Sequence, residues 1–173
     1  VADAQLAAAR SVGAQVALTN PGGLRSDLIC GENGVVTYGQ TYAAQPFGNR
    51  LQVLELSGAQ LDELLEQQFQ TTANGNALEW ILAPSDNFRY TLDRIAPPGD
   101  RIRDLTIDGE PVDPEQHYRV VVNDFLAEGG DGFDVFTHAR HRTGAGEELD
   151  ALNAYFAAHD PVVPPTTDRI HMH

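Results

Sequence analysis

Residues 51–69, LQVLELSGAQLDELLEQQF, join an apolar strand directly to an amphipathic helix, and this junction decides the fold class. The run from Leu51 to Leu56 is typical of a mostly buried strand. Ser57 is followed three residues later by Gln60, which is the capping-box pattern at the start of a helix. The apolar positions that follow have helical spacing and build one face, namely Leu61, Leu64, Leu65 and Phe69. We therefore predict a strand that runs straight into a helix.

On the N-terminal side of this junction, one further helix and one further strand are predicted. An alanine-rich opening with apolar positions at Leu6 and Val12 indicates a helix that stops at Gly13. The chain then turns into a strand from Gln15 to Thr19, which ends at the turn sequence NPGG of residues 20–23.

On the C-terminal side, the pattern favours several strands and a last helix. Asp108-Gly109 between two apolar runs indicates a tight hairpin turn. The last helix is predicted over Leu149 to Ala157, and the prolines from Pro161 onward indicate an extended tail packed along the domain. The strands are predicted at Leu78–Leu82, Phe88–Leu92, Ile102–Ile107 and Tyr118–Val122.

This order of elements indicates an α/β domain of the α+β type. Helices lie at both ends and after the strand at Leu51–Leu56, with several strands and one hairpin between them, which favours mixed, layered β-sheets with helices packed on them. A doubly wound parallel sheet fits this order less well. The length is that of a single domain, and we expect residues 1–173 to form one.

The charged residues exclude several classes of protein. With 25 acidic and 11 basic residues, the chain has a net charge of −14, which repels nucleic-acid backbones and anionic lipid. All 11 basic residues are arginine, so a Walker-type lysine, a Schiff-base lysine and a lysine general base are excluded. No apolar run approaches the roughly 20 residues of a membrane-spanning helix, and no signal peptide is evident. We expect neither nucleic acid nor a membrane as a partner.

Cysteine and histidine offer little for a metal or redox centre. Cys30 is the single cysteine, so it forms no internal disulfide, and we expect it to be buried and inert. The close histidine pairs are His138 with His141 and His171 with His173, and neither has an obvious set of carboxylate partners. We predict no metal site and no cofactor in this sequence.

Three segments outside the periodic pattern carry residues suited to ligand binding. Residues 20–25, NPGGLR, place a guanidinium beside a glycine pair, which suits a phosphate. Residues 45–49, QPFGN, hold a phenylalanine that either binds a ligand or fills the core. Residues 123–133, NDFLAEGGDGF, surround Asp131 with glycines, and its carboxylate can accept hydrogen bonds from the two hydroxyls of a sugar. Taken alone, each segment also fits an ordinary structural role.

In order and spacing, these segments resemble the C-terminal domain of the 5′-nucleotidase family, which includes bacterial periplasmic 5′-nucleotidase/UDP-sugar hydrolases and vertebrate ecto-5′-nucleotidase. The resemblance covers nearly the whole chain. It is carried by residues 1–5, 20–25 and 46–49, by the Ser-Gly-x-x-Leu sequence that starts at Ser57, and by residues 109–114, 118–120 and 123–132.

The resemblance implies a substrate-binding role for five residues. Phe47 and Phe125 would sandwich the nucleobase, and Asp131 would bind the ribose hydroxyls. Asn20 and Arg25 would face the base and the phosphate. The glycines that would support these contacts are Gly22, Gly23, Gly129, Gly130 and Gly132.

Three departures from the family pattern bear on these roles. Pro21 stands where many relatives carry glycine or another small residue, and Asp124 is an extra acidic residue before Phe125. In relatives, a further phosphate-binding arginine lies just upstream of the position of Val1, so we expect this chain to bind phosphate less tightly.

The resemblance places the catalytic chemistry in a different domain. In the 5′-nucleotidases, two divalent metal ions held by Asp, His and Asn residues of a separate N-terminal metallophosphatase domain activate water. We therefore expect residues 1–173 to form the nucleotide-binding C-terminal domain, inactive alone, which presents a nucleoside 5′-monophosphate to that dimetal centre. We also expect an exported protein, periplasmic, secreted or at the cell surface, from a bacterium.

Two alternatives remain at this point. The chain is either part of a hydrolase, as above, or a non-catalytic nucleoside-binding or cell-surface interaction module. Within the hydrolases, the substrate is alternatively a 2′,3′-cyclic nucleotide or a nucleotide sugar. Stacking on phenylalanine tolerates every base, so the sequence does not determine the base preference.

Overall fold

The computed structural model describes residues 1–30 and 34–173, and these residues form five α-helices and eleven β-strands. The N-terminal half contains α1 (Ala2–Ala9), β1 (Val16–Thr19), α2 (Tyr38–Ala44), β2 (Arg50–Ser57), α3 (Gly58–Glu66), β3 (Phe69–Thr71), β4 (Ala77–Glu79) and β5 (Ala83–Pro84). The C-terminal half contains β6 (Phe88–Leu92), β7 (Ile102–Ile107), β8 (Glu110–Pro111), β9 (His117–Asn123), α4 (Asp124–Ala127), β10 (Arg140–Glu147), α5 (Glu148–Ala158) and β11 (Ile170–Met172).

The strands form mixed sheets, which confirms the predicted fold class. A five-stranded sheet has the order β10-β2-β9-β1-β5, in which β1 and β9 are parallel and the other pairs antiparallel. A four-stranded sheet has the order β11-β6-β7-β8, and β3 pairs with β4 alone. The Asp108-Gly109 hairpin joins β7 to β8 as predicted.

The central strands of the five-stranded sheet are buried on both faces. Val120 and Val122 of β9 belong to the larger apolar core, together with Leu64 of α3, whereas Val121 belongs to a second core that includes Leu6 of α1. Because side chains alternate between the faces of a strand, this division places the two cores on opposite sides of the sheet.

The strand–helix junction that decides the fold class is confirmed. Ser57 Oγ accepts from the Gln60 N–H at 3.2 Å, and Gln60 Oε1 accepts from the Ser57 N–H at 2.9 Å, so the capping box is complete. Leu61, Leu64 and Leu65 are fully buried. Phe69 lies beyond the end of this helix, in β3.

Some local predictions were wrong. The strand expected over Leu78–Leu82 is interrupted after Glu79, because the Trp80 and Leu82 N–H groups donate to the carbonyl and side-chain oxygens of Gln68. Cys30 is exposed instead of buried. The pattern also missed α2, which has little apolar periodicity, and β10, a largely exposed edge strand. No helix within residues 1–30 and 34–173 has the length and apolar character to cross a membrane.

Candidate functional site

The three segments singled out in the sequence meet at one edge of the five-stranded sheet. Val16 and Ala17 of β1 lie opposite Val120 and Val121 of the parallel strand β9, so both strands end at the same edge. In the antiparallel strand β2, Leu51 lies opposite Asn123, and β2 therefore begins at that edge. Residues 20–25 follow β1, residues 45–49 precede β2, and residues 124–132 follow β9. We call this the site edge.

Asn20 and Asp131 are in direct contact at the site edge. Asn20 Nδ2 donates to Asp131 Oδ2 at 2.7 Å, although the two residues are 111 positions apart. Asn20 is 3% exposed, so its amide lies behind the carboxylate. Among the described residues, no donor contacts the other carboxylate oxygen of Asp131, Oδ1, which leaves that atom available to a ligand.

The orientation of the Asn20 amide is set from behind by Asn123. Asn123 caps α4, and its Oδ1 accepts from the Leu126 N–H at 2.9 Å, so its Nδ2 must face the other way. That Nδ2 donates to Asn20 Oδ1 at 3.2 Å, which turns Asn20 Nδ2 toward Asp131. The cap on α4 therefore fixes the orientation of the Asn123 amide, which in turn fixes the orientation of the Asn20 amide. As a result, Nδ2 of Asn20 faces the Asp131 carboxylate.

The backbone of Asp131 is held in a special conformation. Its φ is 54°, in the left-handed region that a non-glycine residue rarely adopts. Its carbonyl accepts from Gln70 Nε2 at 2.6 Å. A Cβ added at Gly132 would lie 2.7 Å from that same amide, so glycine is required for the approach of Gln70. Gln70 of β3 therefore fixes this loop, and the sequence did not identify Gln70 as part of the site.

Phe47 and Arg25 form a pair on another part of the site edge. The Arg25 guanidinium carbon lies 4.9 Å from the centre of the Phe47 ring, within the range of a cation–π contact. The Arg25 N–H donates to the Ala44 carbonyl at 2.9 Å, which joins the segment after β1 to the end of α2. Phe47 is 48% exposed, so it does not fill the core.

Phe125 lies on the single turn of α4, between β9 and the glycine-rich loop. Its side chain is 45% exposed, so it too lies outside the core. A Cβ added at Gly130 would lie 2.5 Å from the Phe125 ring, and the ring therefore packs directly on the backbone of the glycine-rich loop. Gly129 adopts φ 85°, which turns the chain away from α4 into that loop.

The glycine pair after β1 lies beside Asn20 and Asp131. Residues 21–23 form a single 3₁₀ turn. A Cβ added at Gly23 would lie 3.0 Å from Asn20 Oδ1, and one added at Gly22 would lie 3.7 Å from Asp131 Oδ2. Gly23 therefore makes room for the Asn20 amide, whereas a Cβ at Gly22 would be in ordinary van der Waals contact with Asn20 and Asp131.

Glu148, which sequence reasoning missed, lies behind the site edge. It is 2% exposed, and its carboxylate accepts from Gln5 Nε2 at 2.7 Å, Asn49 Nδ2 at 3.2 Å and Asn123 Nδ2 at 3.5 Å. Burial raises the pKa of the Glu148 carboxyl, whereas these hydrogen bonds oppose the rise. No sequence signal distinguishes Glu148 from the adjacent, exposed Glu147.

The site edge thus presents a guanidinium, a carboxylate oxygen and two half-exposed aromatic rings. Such a set suits a ligand with a planar ring, a pair of hydroxyls and an anionic group. Within residues 1–30 and 34–173, no group of three or more His, Cys, Asp or Glu side chains is placed to hold a metal ion. The donor set of the described residues therefore does not fit a dimetal centre.

Comparison with known proteins gives a consistent result. Residues 1–138 match the family described as 5′-nucleotidase, C-terminal domain. The chain is similar to the trifunctional nucleotide phosphoesterase protein YfkN of Bacillus subtilis, with 36% identity over 86% of this chain and 10% of that protein. It is also similar to the cell wall protein Lmo0130 of Listeria monocytogenes, with 34% identity over 90% of this chain and 20% of that protein.

Among solved structures, the chain is similar to a 5′-nucleotidase precursor from Thermus thermophilus. The TM-score is 0.82 and the identity 32%, over 99% of this chain and 34% of that one. The chain therefore spans about a third of the length of this structure and 10% and 20% of the lengths of the two relatives named above.

Proposed function

The chain belongs to the family of 5′-nucleotidase C-terminal domains, and on that premise we propose that it is the substrate-recognition domain of a nucleotide phosphohydrolase. It binds the base, ribose and phosphate of a nucleoside 5′-monophosphate. Hydrolysis takes place at two divalent metal ions on a separate N-terminal metallophosphatase domain, since the described residues offer no dimetal site.

The observation that carries this proposal is the grouping at the site edge. Phe47 and Phe125 are large apolar side chains that remain about half exposed, so both rings are accessible to a ligand at the site edge. Each lies close to a polar group suited to a nucleotide: the Arg25 guanidinium lies over the Phe47 ring, and Asp131 lies in the loop that follows Phe125.

In this arrangement each part of the ligand has a partner. The aromatic rings stack on the base, and Asp131 Oδ1 accepts a hydrogen bond from a ribose hydroxyl. Arg25 binds the phosphate by a charge-assisted contact. Asn20 is nearly inaccessible, so it supports the ligand indirectly by fixing the Asp131 carboxylate.

The same premise supports an exported protein. One relative is named a cell wall protein. A domain of an enzyme that acts on nucleotides outside the cell would also be exported. The net charge of −14 agrees with a small-molecule ligand and disfavours a nucleic-acid partner.

The proposal is tested by mapping ligand contacts in solution. The purified chain is titrated with adenosine and with AMP while backbone amide shifts are followed by NMR. We expect shifts at residues 20–25, 47–49 and 123–132. A response confined to residues outside these three segments, or the absence of any response at millimolar ligand, would refute the proposal.

A further inference from the structure

Glu148 joins the two segments that carry the aromatic side chains. Asn49, which donates to Glu148 Oε2, lies two residues after Phe47, and Asn123, which donates to Oε1, lies two residues before Phe125. The Glu148 N–H also donates to the Asn49 carbonyl at 3.0 Å, so the contact with the Phe47 segment is reciprocal. The Glu148 carboxylate therefore bridges the segment that carries Phe47 and the segment that carries Phe125.

If Glu148 served only to stabilise the folded chain, a carboxylate at this position would be unfavourable. It is buried, and no arginine or histidine among the described residues forms an ion pair with it, so three neutral amides compensate its charge. A buried charge without a counter-ion is costly, and apolar residues often replace such groups without loss of stability. Buried titratable groups of this kind are concentrated at functional sites.

We propose that Glu148 is the positioning residue of the nucleotide site, whose ionised carboxylate holds the Phe47 and Phe125 segments at the separation that accepts a base. This inference rests on the proposed function. The ionised form offers acceptors to all three amides. Protonation turns one oxygen into a donor, so at least one amide must reorient and its segment loses the attachment.

The titration of Glu148 can be separated from that of the groups around it. Asp124, at the start of α4, and the α-amino group of Val1, just before α1, interact with it electrostatically without forming an ion pair, and the amides of Gln5, Asn49 and Asn123 are neutral. Asp131 lies beyond Asn20 and has no contact with Glu148. Each of these groups is present in both the wild type and the variants at Glu148.

The first experiment uses Glu148→Gln, a permanent imitation of the protonated carboxyl, with Glu147→Gln as its control. Glu147 is adjacent and exposed, and its replacement removes the same charge. At neutral pH we expect Glu148→Gln to weaken adenosine binding by about tenfold, equivalent to one charge-assisted hydrogen bond, and Glu147→Gln to bind like the wild type. Wild-type affinity for both variants would overturn the inference.

The pH profile separates positioning from a general loss of structure. As the pH is lowered from neutral, wild-type affinity for adenosine should fall when Glu148 gains a proton, and because burial raises the pKa of this carboxyl the fall should begin above the ordinary range of a glutamate. The adenosine affinity of Glu148→Gln should not show this fall. At low pH, the variant and the wild type should bind adenosine equally well. A wild-type profile that stays flat, or a variant profile with the same fall, contradicts the proposal.

A second variant tests the positioning role without a substitution at Glu148. Gln5 lies on α1, away from the ligand-binding segments, and donates to the Glu148 carboxylate at 2.7 Å. Gln5→Met removes this donor, which favours the neutral carboxyl, so the fall in adenosine affinity should begin at a higher pH. An unchanged midpoint would count against the inference, even if Glu148→Gln does not fold.

The failure of this inference differs from the failure of the proposed function. If the wild type binds neither adenosine nor AMP, the proposed function fails. If the wild type binds adenosine with shifts at the site edge, but the Glu148 and Gln5 variants bind identically at every pH, only the positioning role fails.

Discussion

Asn20 Nδ2 lies 2.7 Å from Asp131 Oδ2 and holds one oxygen of that carboxylate at the site edge. The contact leaves Oδ1 of Asp131 without a donor among the described residues. It also accounts for Gly23, since a Cβ at that position would lie 3.0 Å from Asn20 Oδ1 and crowd the amide that makes this hydrogen bond. The ribose-binding role proposed for Asp131 leads to the first prediction.

Asp131→Ala should weaken adenosine binding and barely affect the binding of a 2′,3′-dideoxy analogue. The carboxylate's proposed partners are the two ribose hydroxyls, and the analogue lacks both. Isothermal titration of the folded variant with the two ligands measures the difference. Asp150→Ala, which removes an exposed acidic side chain on α5, is the control for the change in net charge. Unchanged adenosine affinity in folded Asp131→Ala would contradict the assignment.

Arg25→Ala should weaken AMP binding much more than adenosine binding, because the guanidinium contacts the phosphate, which adenosine lacks. A small adenosine loss is expected as well, since the cation–π contact with Phe47 contributes about 0.5–1 kcal/mol at an exposed site. The comparison is made at low salt, where screening is weak. The matched variant Arg50→Ala removes an exposed arginine at the start of β2. Equal losses for both ligands would give Arg25 a structural role.

Phe47→Ala and Phe125→Ala should each weaken adenosine binding by roughly fivefold to a hundredfold, since a base–aromatic stack contributes about 1–3 kcal/mol. Both rings are about half exposed, so each variant should unfold only slightly more easily. Phe88→Ala, at a fully buried position, should lower the free energy of unfolding by about 3–5 kcal/mol. Denaturant unfolding and calorimetry test both effects. Large stability losses with intact affinity would exclude the sandwich.

Gly130→Ala should displace the Phe125 ring and weaken adenosine binding by about fivefold, the lower end of the stacking range. The added Cβ would lie 2.5 Å from that ring, and the ring is exposed enough to rotate away. Gly144→Ala in β10 is the control, because nothing lies within 4 Å of its added Cβ. If Gly130→Ala binds adenosine as tightly as Gly144→Ala does, the position of the Phe125 ring is irrelevant to the ligand.

The purified chain should hydrolyse neither AMP nor UDP-sugars in the presence of Mg²⁺, Mn²⁺ or Zn²⁺. The reaction needs two metal ions, and the described residues place no suitable group of ligands together. Phosphate release is measured with each metal and again with a chelator. Turnover that a chelator abolishes, and that replacement of the chain's own histidines also abolishes, would show that the catalytic centre lies in this chain.

Much of the fold is predictable because its signals are local. The strand at Leu51–Leu56, the capping box of Ser57 with Gln60 and the Asp108-Gly109 turn depend on contacts within a few residues. A reader of the sequence can therefore place them without knowing the rest of the chain. Elements without such a signal, such as α2 and the exposed strand β10, were not predicted.

The sequence by itself determined which residue types are available for a ligand, and the tertiary structure decided how they are arranged. Phe47, Phe125, Arg25 and Asp131 stand out because no periodic pattern accounts for them. That Asn20 faces Asp131, and that Glu148 rather than Glu147 is buried among amides, depends on contacts between residues 99 to 143 positions apart. Such pairings follow from the register of parallel and antiparallel strands, which the local pattern of the chain does not specify.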